Sequence, residues 1–219
     1  MSRDRSRTDQ AERPARERAA ALRLVPVSRE TAERLDVYVD LLGRWRATVN
    51  LISEASFASV WTRHIADSAQ ILPLVPAARR WVDMGSGAGF PGLVIAIQLA
   101  DVPGARVRCI ESDRRKCAFL RDVVRATGAP AEIHPERVEK VDAEGLRPVD
   151  AVTARAFAPL PATLDLARIW LDSGAVCAFP RGRSARGQLE AFPHAQTYSV
   201  EVVPSVVDKE AAILLIRRR

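Results

Sequence analysis

The chain has 219 residues and a mass of 24.0 kDa, with 47% hydrophobic and 27% charged residues, so it can bury a core and is not disordered throughout; one α/β domain with a terminal extension is expected. Its net charge is +6 and its pI about 9.9; of 33 basic residues three are Lys and the other 30 Arg, the better fork for phosphate, so a nucleic acid partner and a merely Arg-decorated surface both stay open. Cys109, Cys117 and Cys177 make no disulfide framework or zinc spacing, so no structural metal site is expected; the first residues lack a signal-peptide core and no run of about 18 apolar residues occurs, and composition excludes a secreted scaffold, a membrane protein and a fibrous protein, which makes a reducing, cytoplasmic setting the default.

In chain order, residues 1–24 carry seven Arg against four acids and read as a solvated, basic, flexible arm, with a frayed helix as the alternative. Leu35, Val39, Leu42, Trp45 and Val49 recur at helical spacing behind Ser28, a good N-cap. A second helix is expected over about 56–72, with Phe57, Val60, Trp61 and Ile65 inward, ended by Pro73 and Pro76. From Arg80 strands and helices alternate: strands at Trp81–Met84, Val107–Ile110, Ala131–His134, Ala151–Ala154 and Ala175–Phe179, helices at Leu93–Leu99, Lys116–Val124 and about Leu160–Leu171. Tyr198–Val203 and Ala211–Ile216 can close the sheet as an antiparallel ribbon. Such alternation implies a mostly parallel sheet covered on both faces.

The first strand runs into Gly85, Gly87, Gly89 and Gly92, where backbone can approach a ligand closely. Gly87–Gly92 satisfies the GxGxxG dinucleotide pattern, which alone is weak. Asp83–Gly89 satisfies D-x-G-x-G-x-G, the pattern of S-adenosyl-L-methionine (AdoMet) methyltransferases. An acid two residues before the first Gly repels a pyrophosphate and suits an ammonium, which favours AdoMet over NAD. Glu111, ending the second strand, is placed for ribose hydroxyls in either case.

Taken together, VDMGSGAGFPG (82–92), WRATVNL (45–51), R-H-I-A-D-S (63–68), R-V-E (137–139) and R-A-F-A (155–158) resemble, in order and spacing, the bacterial 16S rRNA (guanine-N7) methyltransferase G family, also called glucose-inhibited division protein B. The resemblance covers about residues 35–182, and departs at Arg46, where the family has Asn, and at Arg181, where it often has Lys. It implies a Rossmann-like class I AdoMet-dependent fold with a seven-stranded sheet, and a monomer methylating guanine N7 in 16S rRNA or the small ribosomal subunit. The arm over 1–24 is then followed by a helical cap over 25–78 and a methyltransferase domain over 79–219. Transferred by position, the cofactor contacts are Gly85, Phe90, Val138, Glu139 and Arg155. An NAD-binding redox protein and a methyltransferase of a non-RNA substrate are the competing readings.

Guanine N7 has a lone pair and no proton, so positioning can replace a general base. Arg155 ends the fourth strand and is expected to position the reactants, its alternative being a salt bridge to Glu139 or Asp150. His64 and Asp67 share a helix face; His64 is read as an RNA contact, Asp67 with Ser68 as a pair fixing the cap. Phe90 can pack on the cofactor or in the core. Arg181, Arg183 and Arg186, after the fifth strand, are the best RNA candidates.

Overall fold

Apolar runs bounded by turn residues become the central strands of one seven-stranded sheet. The computed structural model describes residues 14–182 and 197–219. The strands are β1 (Arg80–Met84), β2 (Arg106–Ile110), β3 (Ala131–His134), β4 (Ala151–Thr153), β5 (Val176–Arg181), β6 (Tyr198–Pro204) and β7 (Ala212–Arg218), in the order β3-β2-β1-β4-β5-β7-β6. β1 through β5 pair in parallel, and β7 is antiparallel to both β5 and β6. This is the sheet expected from the pattern. Trp81 to Met84 are all buried because helices cover both faces.

The helices are α1 (14–24), α2 (Arg29–Trp45), α3 (Glu54–Phe57), α4 (Asp67–Ala69), α5 (Gly92–Gln98), α6 (Arg114–Thr127) and α7 (Leu160–Leu171). Ser28 caps α2 by accepting from the Thr31 amide at 3.1 Å. On one face, Tyr38 and Trp45 of α2 meet Phe119 of α6, with centroids 6.2 and 6.0 Å apart. One apolar cluster joins α1, α2, α5, α6 and that sheet face; the other packs α7 on the opposite face. Each fully buried large side chain, such as Trp81 or Leu93, contributes roughly 1.5–3 kcal/mol.

Two expectations are corrected. The segment read as a flexible arm is helical from residue 14, because Ala21 and Val25 enter the core, Arg18 pairs with Asp36 at 2.7 Å, and Glu17 accepts from the Thr62 amide at 3.1 Å. Its first 13 residues lie outside the described ones. The second helix is not continuous over 56–72: α3 ends at Phe57, a π-helical turn spans Trp61–Ala66, α4 follows, and Leu72–Leu74 is a 3-10 turn. Pattern alone could not place the π-turn, which rotates His64 and Asp67 toward the sheet and is the kind of irregularity found at functional sites.

The strand order reverses between β1 and β4, so a crevice opens beyond their carboxyl ends. Every feature below lies there.

Candidate active site

The turn from β1 into α5 carries the glycines. Gly85, Gly87 and Gly89 all have positive φ, at 69°, 56° and 94°. At Gly85 a side chain is excluded twice, since a Cβ would also lie 2.3 Å from the Phe157 ring. Gly92 lacks a positive φ, yet a Cβ there would lie 2.4 Å from Asp83 Oδ2. That carboxylate is fully buried and accepts from the Gly92 amide at 3.2 Å. Its other oxygen has no hydrogen-bond partner. Burial pushes the Asp83 carboxyl up to about 6.

Asp83 was expected to meet a ligand's ammonium. Instead it is turned beneath the loop onto α5 and does not line the cavity above. Any effect on a cationic ligand passes through its field. Gly89 also lies under the loop, against Tyr38 Oη and Leu93. Tyr38 donates to the Ala88 carbonyl, so α2 props the loop from behind.

Above the loop is a cavity of about 370 Å³, bordered by Gly85, Gly87, Phe90, Glu111, Val138, Glu139 and Arg155, among others. Glu111 Oε2 accepts from the Gly87 amide and Oε1 from the Asp113 amide, both at 2.8 Å. Each oxygen keeps a lone pair for a ribose hydroxyl. Val138 and Glu139 begin a 3-10 turn on the far wall. The volume, the open backbone at Gly87 and the acidic end of β2 fit AdoMet.

Arg155, just after β4, is fixed by three elements. Nη1 donates to Asp67 Oδ2 at 2.9 Å and to the Arg63 carbonyl at 3.3 Å; Nη2 donates to His64 Nδ1; and the guanidinium lies 5.3 Å from the Phe90 ring centroid. Neither Glu139 nor Asp150 is its partner; Asp150 pairs with Arg80. Because Arg can only donate, His64 Nδ1 must accept, and its Nε2–H donates to Ser56 Oγ at 2.5 Å. His64 is therefore a neutral imidazole. Burial, then the Arg155 and Arg63 charges, push it down to about 3. Its ring stacks on Phe90 at 4.8 Å and 18°. Asp67 Oδ1 accepts from Gln70 at 3.0 Å, while the Ser68 hydroxyl is buried without a partner, so the expected Asp67–Ser68 pair does not form.

Arg155 and Ala156 also border a second cleft of about 770 Å³, whose wall includes Arg63, His64, Asp67, Arg181 and Asp208. Ala156 is held at a φ of 50°, a strained conformation for a non-glycine residue at the wall shared by both cavities. Arg181 donates to the Ala158 carbonyl and Thr163 Oγ1, each at 3.0 Å, and makes no ion pair among the described residues. Burial lowers its pKa. Arg183 and Arg186 lie outside the described residues. All three cysteines are buried, free thiols, and no group of His, Cys, Asp or Glu that could hold a metal occurs among the described residues. Nor is any helix there long and apolar enough to cross a membrane.

Sequence reasoning missed Tyr38, Ser56, Gln70, Ala156 and Asp208. Only Ala156 had a local signal, its place inside R-A-F-A; the others take their place from tertiary packing, some across long stretches of chain.

The family model described as rRNA small subunit methyltransferase G matches residues 31–216. A protein named ribosomal RNA small subunit methyltransferase G from Methylobacterium sp. (strain 4-46) is 50% identical over 191 residues, covering 87% of this chain and 90% of its own. The protein of the same name from Rhodospirillum centenum is 49% identical, covering 86% and 84%. Among solved structures, cofactor-bound Rv0187 from MTB superposes with a TM-score of 0.61 at 16% identity, over 85% of this chain and 90% of that one, a likeness of fold.

Proposed function

The chain belongs to the rRNA small subunit methyltransferase G family, and from that premise we propose that it transfers the methyl group of AdoMet to N7 of a guanine in 16S rRNA, acting in the cytoplasm as a monomer. The observation that carries this reading is the shared wall: Arg155 and Ala156 border both the cavity above the glycine loop and the second cleft. A cofactor held in the first and a base held in the second would meet at that wall.

When bound, AdoMet supplies an electrophilic methyl group on a sulfonium. The chain supplies placement. Gly85 and Gly87 would let backbone approach the cofactor, Glu111 would take its ribose hydroxyls, and Val138 and Glu139 would border its adenine. Phe90 packs between the cofactor cavity and His64. Asp83 and Gly89 shape the loop from below. Arg155 holds the boundary in one geometry and keeps positive charge beside the incoming RNA. It does not donate to N7, since that would occupy the nucleophile's lone pair. Arg181, which makes no ion pair among the described residues, adds positive charge facing the RNA backbone.

Among the described residues, no side chain at the shared wall is poised as a base. His64 has both nitrogens engaged, and Asp67 is engaged by Arg155 and Gln70. That suits N7, which has no proton to lose. Catalysis then rests on near-attack alignment, worth up to about 7–11 kcal/mol in well-oriented reactions.

Titration calorimetry separates this reading from a dinucleotide-binding one. AdoMet is expected to bind with one site per chain and NAD not to bind measurably. Tight NAD binding without AdoMet binding would remove the methyltransferase assignment.

A further inference from the structure

Among the described residues that line it, the second cleft has two carboxylates, Asp67 and Asp208, and three arginines, Arg63, Arg155 and Arg181. A carboxylate in a cleft for a polyanion is repelled by phosphate, so each needs a partner. Asp67 has one in Arg155. Asp208 does not: its Oδ1 accepts from the Glu210 amide at 2.9 Å, and the side chain makes no ion pair among the described residues. It stands close enough to Asp67 for its charge to raise that carboxyl's pKa.

The turn carrying Asp208 is fixed in place. Gln70, itself buried, donates to Ser205 Oγ at 3.0 Å and accepts from the Val206 amide at 2.9 Å. Ser205 Oγ in turn accepts from the amides of Val207 and Asp208, at 3.1 and 3.4 Å. Gln70 also binds Asp67, the partner of Arg155. One polar network, buried at Gln70 and Ser205, thus links Asp208 and Arg155, which border the same cleft. Such a network fixes relative geometry.

We propose that the second cleft is a reading pocket for a guanine turned out of the RNA, and that Asp208 is its specificity-determining residue. The inference rests on the methyltransferase reading above. Guanine presents two donors on one edge, N1–H and the exocyclic N2 amine, and one carboxylate can accept both. N7 lies on a different edge of the bicycle, so a base held by Asp208 keeps N7 free to meet the wall that the cleft shares with the cofactor cavity. Adenine has a lone pair at N1 and nothing at C2, and would face the carboxylate with an unpaired acceptor. Reading an extruded base on this edge is a general device of base-modifying enzymes.

The test uses small subunits reconstituted with 16S rRNA carrying either guanine or a single inosine at the methylated position. Inosine keeps N7 and N1–H and lacks only the N2 amine. Wild-type protein should methylate guanine over inosine by about tenfold or more, as one lost hydrogen bond to a charged group implies. Asp208→Ala should lower kcat/KM on guanine by about tenfold to a hundredfold and bring the guanine-to-inosine ratio near one. Its AdoMet affinity should stay at the wild-type value, which reports an intact fold. Should Asp208→Ala fail to fold, Asp208→Asn, with one acceptor in place of two, must still flatten the ratio. A wild-type ratio near one, or a ratio preserved in the variant, overturns the assignment of Asp208. Failure of the wild-type protein to methylate guanine at all removes the underlying reading instead.

Discussion

Arg155→Ala is expected to lower methyl transfer to rRNA by about a hundredfold or more while leaving the chain folded. The guanidinium ties the end of β4 to Asp67, His64 and the Arg63 carbonyl, all on the π-turn and the start of α4. Without it, the two cavities lose the group that fixes their common wall, and a displacement near 1 Å can cost about 10²-fold in rate. The substitution also leaves Asp67 largely buried with no cation, which should cost stability by roughly 1–3 kcal/mol. These effects separate in the double variant Arg155→Ala/Asp67→Asn. It should regain most of the stability, measured by chemical denaturation, and none of the activity. Arg155→Lys keeps the charge and loses the planar fork, so one nitrogen must serve acceptors that Nη1 and Nη2 now share, and it should recover only part of the rate. Near-wild-type activity in Arg155→Ala would end the role given to this residue.

The second large effect is expected beneath the glycine loop. Gly92→Ala places a methyl group 2.4 Å from Asp83 Oδ2, in a region where Asp83 has no exposed surface. Overpacking of this kind costs about 1–3 kcal/mol. For a chain of this length each kcal/mol lowers Tm by about 2–4 °C. AdoMet affinity should fall with it, because the shifted segment is the floor of the cofactor cavity. An unchanged Tm and an unchanged affinity would show that Asp83 is free to move away. Asp83 itself has a signature in pH. Its folded-state pKa, about 6, lies above the ordinary value of 3.8. The folded chain therefore holds this proton more tightly than the unfolded chain does. The resulting stability is fully present below about pH 4 and is lost as pH rises through 6. Asp83→Asn lacks this term, so its stability relative to wild type should rise across that window by roughly 3 kcal/mol and stay level above it.

Much of the fold is legible in the sequence because buried parallel strands leave continuous apolar runs. Trp81–Met84, Val107–Ile110 and the helix at Leu160–Leu171 all lie where periodicity puts them. In residues 1–24 seven arginines dominate the composition and mask Ala21, which with Val25, one helical turn further on, seats α1 in the core. The π-turn at Trp61–Ala66 escaped for a different reason. Its backbone follows from what His64 and Asp67 bind on β4's end, 88 to 91 residues away in the chain. Within the site, Glu111, Phe90 and Arg155 could be named from their places after strands. The direction of the Asp83 side chain could not, since the motif fixes the residue's position and packing against Gly92 fixes its rotamer. Asp208 was invisible for the same reason as the π-turn: its placement depends on Gln70, 135 to 136 residues from the backbone and side-chain atoms it holds.

The central claim is that one chain carries a methyl group from AdoMet to a purine nitrogen of ribosomal RNA. Incubation of the protein with methyl-labelled AdoMet and 16S rRNA, both naked and within unmethylated small subunits, followed by digestion to nucleosides, tests it in one step. The label should appear in N7-methylguanosine and in no other nucleoside. Label in a different nucleoside, or none in either form of the RNA while AdoMet binds, would contradict it.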